Sequence, residues 1–211
     1  MNTLITQRLD DAAAVIEALR EATDDIATIS SMLIDRICNG GTIMVAGNGG
    51  SSAQAMHICE ELTGRYRDMR PALPAICLCS DAAAMTCIAN DFGWEHVFKR
   101  QVEAHASFTI EEDEGTTICN DVLLVLTTSG NSTNINAALE YANEIGLTTI
   151  GLLGRDGGES ADLCDHSIII DAPDSAAIQD GHHVILHALC EIIEAWVAEE
   201  MAAELAEETA E

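Results

Sequence analysis

Aromatic side chains are nearly missing from this chain, at 3% of its 211 residues. A core large enough for a chain of this length must therefore be built from Ala, Val, Ile, Leu, Met and Cys, and side chains of that size suit helices packed closely on a sheet. Positive charge is equally scarce. Nine Lys and Arg stand against 36 Asp and Glu, a formal charge of -27, and the single lysine is Lys99. Such a surface repels phosphodiester backbones and anionic lipid, which argues against nucleic-acid binding and against membrane association. It suits a salt-rich cytoplasm, where charge is screened, or simply a well-solvated surface. No apolar run approaches the roughly 18 residues of a membrane span. Met1 to Gln7 lacks the basic start and apolar centre of a signal peptide, so a cytoplasmic protein is expected. CxxC pairs in polar turns are lacking too. The eight cysteines, at 38, 59, 77, 79, 87, 119, 164 and 190, fall mostly within apolar runs and read as reduced, buried thiols.

No break in composition divides the chain, and a single domain is the default. Residues 3 to 38 carry apolar positions at spacings of three and four (Leu9, Ala13, Ile16, Leu19; Ile26, Ile29, Leu33, Ile37), which predicts two helices ended by Asn39-Gly40-Gly41. Beyond them, short apolar runs alternate with helical segments. Strands are predicted near 42–46, 74–79, 121–126, 148–153 and 167–171, and helices near 52–68, 81–89, 95–106, 132–145 and 178–200. That alternation implies a parallel sheet covered on both faces, with ligands beyond the carboxyl ends of its strands. Thr109 to Asn120, containing Glu-Glu-Asp-Glu-Gly, is too charged to pack and reads as an exposed loop. Met201 to Glu211 reads as an acidic tail, frayed or disordered.

Two turns stand out at the predicted strand ends. Gly47-Asn-Gly-Gly-Ser51 follows the first strand and opens a helix carrying His57 and Glu61. Thr127-Thr-Ser-Gly-Asn-Ser132 follows the third strand and opens another helix. Backbone N–H groups and the positive dipole end make each turn an anion site, with phosphate the first ligand to consider. For one turn alone, Ser132 or Thr133 acting only as an N-cap would be the better explanation; for the pair, phosphate is favoured. Four residues apart on a helix, His57 and Glu61 share a face and can converge on one metal or one proton. Near the end of the chain, Gln179, His182, His183 and His187 form a cluster. The i,i+4 spacing of His183 and His187 suits a metal pair, and the alternative is that one or two of these rings lie on an exposed face. Asn90-Asp91-Phe92-Gly93 reads as a loop closing a helix, either as turn chemistry or as donors and acceptors for sugar hydroxyls.

Taken in order, Gly47-Asn-Gly-Gly-Ser51, Ala55-Met-His-Ile-Cys-Glu-Glu-Leu-Thr-Gly-Arg-Tyr-Arg67, Arg70-Pro71, Asn90-Asp-Phe-Gly93, Thr128-Ser-Gly-Asn-Ser132, Gly154-Arg-Asp-Gly-Gly158 and Ile178-Gln179 with His187 closely resemble the phosphoheptose isomerases, a branch of the sugar isomerase (SIS) domain family. The resemblance runs from about residue 40 to 197. It implies a three-layer α/β/α sandwich with a central parallel sheet, flavodoxin-like, and an N-terminal helical extension. On that basis residues 1–40 are helices packing on the core and on an oligomer interface, 41–200 the SIS domain, and 201–211 the tail. It further implies an aldose-ketose isomerisation of sedoheptulose 7-phosphate to D-glycero-D-manno-heptose 7-phosphate, a homotetramer, and one zinc ion per active site. Carried over residue by residue, it assigns Asn48, Gly49, Gly50, Ser51, Asn90 and Asp91 to substrate contacts, with Thr127, Thr128, Ser129 and Ser132 around the phosphate. His57, Glu61, Gln179 and His187 match the metal ligands, Glu61 and Gln179 also contact substrate, and Glu61 with His187 matches the acid-base pair.

Three departures accompany the likeness. Gln54 stands where the family generally has Asp, Thr127 where Ser is typical, and the acidic loop between Ala104 and Asn120 is longer. Spacing adds a constraint. On one straight helix Gln179 and His187 would be separated by about 12 Å of rise and some 80° of rotation, so either Gln179 precedes the helix or the site combines two chains; the second is the expectation. Two other readings compete. A noncatalytic SIS regulator binding a replication initiator would lack the acidic catalytic residue, whereas Glu61 and His187 are both present. A sugar-phosphate-sensing transcription factor would need a DNA-binding domain, and the roughly 40 residues before the sheet are too few and too acidic.

Overall fold

The structure, a computed structural model, describes residues 1–110 and 117–208. The Glu-Glu-Asp-Glu stretch of the acidic loop and the last three residues of the tail lie outside the described residues. Five parallel strands form the central sheet: β1 (Ile43–Gly47), β2 (Ala75–Cys77), β5 (Val122–Thr127), β6 (Thr148–Gly154) and β7 (His166–Ile170), in the order β2-β1-β5-β6-β7. Every residue of β1, β5 and β6 is buried, as expected of a parallel sheet covered on both sides. Alternation along the strands separates two cores. Ile43, Val45, Leu124 and Leu126 face a layer that contains Val15, Ile29, Leu33, Ile58 and Leu186. Met44, Ala46, Leu123 and Val125 face one that contains Phe98, Val102, Ile135 and Leu139.

The first layer is made by α1 (Asn2–Ala18), α2 (Thr23–Cys38), α3 (Gly50–Thr63) and α8 (Ser175–Glu208); α4 (Ala82–Phe92), α5 (Lys99–His105), α6 (Thr133–Glu144) and α7 (Gly158–Leu163) complete the helices. From β1 the chain steps outward to β2 and later returns to place β5 on the other flank of β1, so the topological switch point lies between β1 and β5. In open α/β sheets the crevice at that point is where ligands bind. Among the described residues no helix is long and apolar enough to cross a membrane.

Several elements differ from their sequence expectations for identifiable reasons. α3 ends at Thr63 instead of 68, because the Arg70 guanidinium folds back to donate to the carbonyls of Leu62, at 3.0 Å, and Glu61, two of the unpaired acceptors at a helix end. α4 runs three residues past its predicted end. Asp81 caps its start, accepting from the Ala83 and Ala84 amides at 2.9 Å, and Gly93, with φ +100°, stops it. Asn90 and Asp91 are therefore in a last helical turn, not a loop. The segment 95–106 divides into a 3-10 turn, Trp94–His96, and α5. The reading of 109–120 as loop is corrected at its ends, where β3 (Thr109–Ile110) pairs antiparallel with β4 (Thr117–Ile118). α7 was not expected, and α8 continues through the start of the predicted tail to Glu208.

Candidate functional site

Both hydroxyl-rich turns sit at the switch point. After β1 the chain turns through Gly49, with φ +57°, into α3, and the amides of Ser51 and Ser52 close the turn on Asn48 O at 3.0 Å and Gly49 O at 3.1 Å. Neither α3 nor α6 receives a side-chain cap, so each presents a helix start with its dipole to the crevice. Ser132 occupies the N-cap position of α6 but makes no capping bond, and its hydroxyl lies 3.5 Å from that of Thr127. Simple capping therefore does not explain that serine. Thr127 Oγ1 instead accepts from the Gly130 amide at 3.2 Å, and Thr128 Oγ1 donates to Ser175 Oγ at 3.2 Å, at the start of α8. The two turns are tied directly. Asn48 and Asn134 exchange a reciprocal pair of amide hydrogen bonds, both 2.9 Å, and Asn134 is fully buried. Such a pair satisfies a donor and an acceptor on each residue and fixes one turn against the other. At Gly130 a Cβ would lie 1.8 Å from Gly157 O, so only glycine allows this approach of backbone to backbone.

α3 and α8 lie side by side and run parallel, as their ordered contacts establish. At the amino end, Gln54 Nε2 donates to the Gln179 main-chain oxygen at 2.7 Å. The Gln179 side chain covers the glycine turn, where a Cβ on Gly50 would come within 2.6 Å of its amide nitrogen and oxygen. Further along, His57 meets His183 and His187. At the carboxyl end, Glu194 accepts from the Arg67 amide at 3.0 Å and the Asp68 amide at 3.2 Å, with Arg70 Nε 3.7 Å away. Gln54 thus does what an ionised Asp could not, donating a hydrogen bond to a carbonyl of the neighbouring helix.

The middle of this helix pair holds an imidazole cluster. His57 Nε2 is 3.0 Å from His187 Nε2 and 3.4 Å from Glu61 Oε1, while His57 Nδ1 lies 3.5 Å from Glu60 Oε1. His183 stacks on His57 with ring centroids 4.7 Å apart, and His183 and His187 meet edge to face at 4.5 Å. Potential ligand atoms of His57, His183 and His187 all lie within 4.8 Å of one another. Partial burial, then the neighbouring His187 and His57, disfavours the charged form of His183 and lowers its pKa. His182 points the other way. It is fully buried, 3.1 Å from Leu153 O, and burial lowers its pKa to about 4. A neutral ring there belongs to the core.

One chain therefore brings together Asn48, Gly49, Gly50, Ser51 and Gln179 at one end of α3, with Thr127, Thr128, Ser129 and Ser132 in the facing turn, and His57, Glu61 and His187 farther along. Of the two alternatives raised by spacing, the first is excluded, since α8 begins at Ser175 and includes Gln179. The second is not needed for His57, Glu61 and His187, which converge within one protomer. Asn90 and Asp91 make no side-chain bond to this group among the described residues. Their side-chain bonds are local, Asn90 Nδ2 to Asp91 Oδ1 at 2.7 Å and Cys87 Sγ to Asp91 Oδ2 at 3.6 Å. Sequence reading weighed His183 as half of a metal pair with His187 and marked Gln54 as a departure, but gave Asn134 and Arg70 no role. The i,i+4 spacing signalled His183, whereas the partners of Gln54, Asn134 and Arg70 are visible only through tertiary contacts. A cavity of about 610 Å³ lies elsewhere, between α1 and β7, lined by Val15, Leu19, Ile168 and Ala172, and includes none of these residues.

Residues 8–154 match the SIS domain family. The chain is 42% identical over 191 residues to a phosphoheptose isomerase of Geobacter sulfurreducens, covering 90% of this chain and 95% of that one. It is 40% identical over 195 residues to a phosphoheptose isomerase of Trichlorobacter lovleyi, covering 92% and 94%. The solved phosphoheptose isomerase of Neisseria gonorrhoeae superimposes with a TM-score of 0.82 at 30% identity, over 92% of this chain and 98% of that one. The sugar isomerase domain of a transcription factor from Sphaerobacter thermophilus is similar in fold alone, at 15% identity and TM-score 0.62. Fold does not separate enzyme from regulator, but the close relatives do. The chain belongs to the SIS domain family and, within it, to the phosphoheptose isomerases, and it is a sugar-phosphate isomerase.

Proposed function

We propose that this enzyme converts sedoheptulose 7-phosphate to D-glycero-D-manno-heptose 7-phosphate through an enediol, the first step of nucleotide-activated heptose synthesis. One observation supports the reading: the uncapped start of α3, tied to that of α6 through Asn48 and Asn134, lies roughly 10 Å by helix rise from the Glu61–His57–His187 group. A seven-carbon ketose phosphate has the matching form, with its phosphate at the end remote from C1 and C2. The phosphate rests at the starts of α3 and α6 among Ser51, Thr127, Thr128, Ser129 and Ser132. Asn48, Gly49, Gly50 and Gln179 line the sugar's path.

Moving the carbonyl from C2 to C1 removes a proton from C1 and delivers one to C2. Glu61 is the base. Its side chain is largely enclosed, at 13% exposure, and the adjacent His57 imidazole steadies it. His187 is its partner in the acid-base pair. The chemistry of the donors suits zinc: two imidazoles and a carboxylate, with His57 Nε2 3.0 Å from His187 Nε2 and 3.4 Å from Glu61 Oε1. His57, Glu61 and His187 would hold the ion, with Gln179 added by the resemblance. A bound zinc would act as a Lewis acid toward the carbonyl oxygen. Glu61 and His187 then stand both in the ligand set and in the acid-base pair, and one atom cannot fill both roles at once.

The assembly is a homotetramer with sites shared between subunits. In support, α1 carries exposed Leu4, Ile5, Leu9 and Ile16, and Asn90 and Asp91, exposed and bonded through their side chains only locally among the described residues, would serve a neighbour's site. The N-terminal helices, 1–40, would take part in that interface. The decisive experiment incubates the pure protein with sedoheptulose 7-phosphate, with and without added zinc, and follows aldose formation. Turnover is expected. Binding without turnover under either condition would shift the assignment to a noncatalytic SIS regulator.

A further inference from the structure

We infer that Cys77 is an oxidant-reactive thiol and that Cys59 resolves its oxidised form, so that a hydroperoxide converts the pair to a disulfide joining α3 to β2. The pair is turned away from the histidine cluster, since Cys59 follows His57 by two residues, about 200° round the helix. Cys77 ends β2, an edge strand of the sheet, and its register partner Val45 faces the layer that holds α3. Partners across a ladder share a face, so Cys77 meets Cys59, which α3 buries in that core. The thiols of Cys59 and Cys79 both hydrogen-bond to Cys77. Those bonds, from Cys59 and then Cys79, favour the thiolate at Cys77 and lower its pKa against the opposing effect of burial. Cys77 is half-buried and Cys59 buried, so the thiol that solvent reaches is the one poised to react.

The Cys77 thiolate attacks one peroxide oxygen. An S–O bond forms, the O–O bond breaks, and the departing hydroxide or alkoxide takes up a proton; sulfur loses two electrons to the peroxide and becomes a sulfenic acid. The Cys59 sulfur then attacks that sulfur. An S–S bond forms, the S–O bond breaks, and hydroxide leaves with the Cys59 proton as water. Cys79 is the poorer resolving group. Its sulfur is also held by Gly47, accepting from the amide at 3.3 Å and donating to the carbonyl at 3.2 Å, and its one proton cannot serve both Gly47 O and Cys77. Between the two cysteines, the Leu78 amide bonds Val45 O at 2.9 Å, a ladder bond that a bridge across a single residue would disturb.

The test adds hydrogen peroxide, equimolar with protein, to the native full chain at pH 6, where an ordinary thiol is less than about 1% ionised. Remaining thiols are alkylated at intervals, and every cysteine is followed by peptide mass spectrometry with fragment-ion mapping. Cys77 should be consumed at least about tenfold faster than the exposed Cys38 and Cys87, and a Cys59–Cys77 bridge should appear that dithiothreitol removes. In Cys59→Ala the sulfenic acid should persist at Cys77 and be trapped by dimedone, whereas in Cys79→Ser the bridge should still form. Consumption of Cys77 no faster than that of Cys38 and Cys87 overturns the inference. A wild-type bridge from Cys77 to Cys79, or the absence of any bridge after Cys77 is consumed, overturns the resolving role of Cys59. Both of these outcomes are read on the wild-type chain, so they stand even where a variant fails to fold, and neither depends on isomerase activity or on zinc.

Discussion

The two ends of the α3–α8 pair are built from different chemistry. At the amino end every residue named is neutral: Gly49, Gly50, Ser51, Gln54 and Gln179, joined to the second turn through Asn48 and Asn134. From His57 onward the same helices carry ionisable groups, namely His57, Glu61, His183, His187 and Glu194, and Arg70 folds back from beyond α3 to meet Glu194. In a chain of formal charge -27 this division matters. An anion can approach only where main-chain dipoles and amides replace carboxylates, whereas proton transfer and metal binding need groups that ionise. Under the proposed function, the helix pair separates the two requirements by length along its axis.

The sharpest break in that comparison is Glu61→Gln. It removes the proposed base without altering shape, so kcat should fall by about 10²–10⁴, while inorganic phosphate, titrated calorimetrically, should bind as in wild type. A parallel loss of phosphate binding would mean that the two ends are not separable. Arg70 tests the carboxyl end differently. Its side chain is 4% exposed, bonds two carbonyls at the end of α3 and lies 3.7 Å from buried Glu194. Arg70→Met leaves that carboxylate without its counter-charge, and stability should drop by about 3 kcal/mol, read as the unfolding midpoint at fixed protein concentration. No change in midpoint would show that the amides of Arg67 and Asp68 satisfy Glu194 by themselves.

Much of this arrangement was legible in the sequence because it is local. β1, its glycine turn and α3 follow from an apolar run, three glycines and a helical period, and the same logic placed β5 and α6. What was illegible depends on the third dimension. The end of α3 at Thr63 depends on Arg70 folding back, and the helical state of Asn90 and Asp91 on a cap at Asp81 and a stop at Gly93. For the site, the i,i+4 spacing of His183 and His187 was visible, but spacing alone does not reveal that α3 runs parallel alongside with His57 in register. Of the three departures from the family pattern, Gln54 has acquired a physical reason: it donates to a carbonyl of α8. Thr127 keeps the hydroxyl in its turn, and the acidic part of the longer loop lies outside the described residues.

Smaller effects are expected at the amino end, where neutral hydrogen bonds replace charges. Asn134→Ala leaves Asn48 without its buried amide partner and should cost about 2 kcal/mol of stability. It should also raise KM for the sugar phosphate about tenfold, or roughly 1.4 kcal/mol, with kcat largely retained, because the turn geometry is disturbed and Glu61 is not. In a double-mutant cycle with Asn48→Ala, a coupling near zero would show that the reciprocal pair does not hold the turns in register.

The least effect should come from Gln54→Met, which keeps length and apolar bulk but removes the bond to Gln179 O. The loss should be about 1 kcal/mol, moderated because Gln54 Oε1 is buried with no hydrogen-bond partner among the described residues, and its removal relieves that cost. Zinc affinity decides what this bond does. If Gln54 serves only the amino end, the variant should bind zinc like wild type while its unfolding midpoint falls slightly. If zinc affinity also falls, the bond sets the sliding register of α3 against α8, and with it the approach of His57 to His183 and His187, so that a neutral amide at one end controls the charged chemistry at the other.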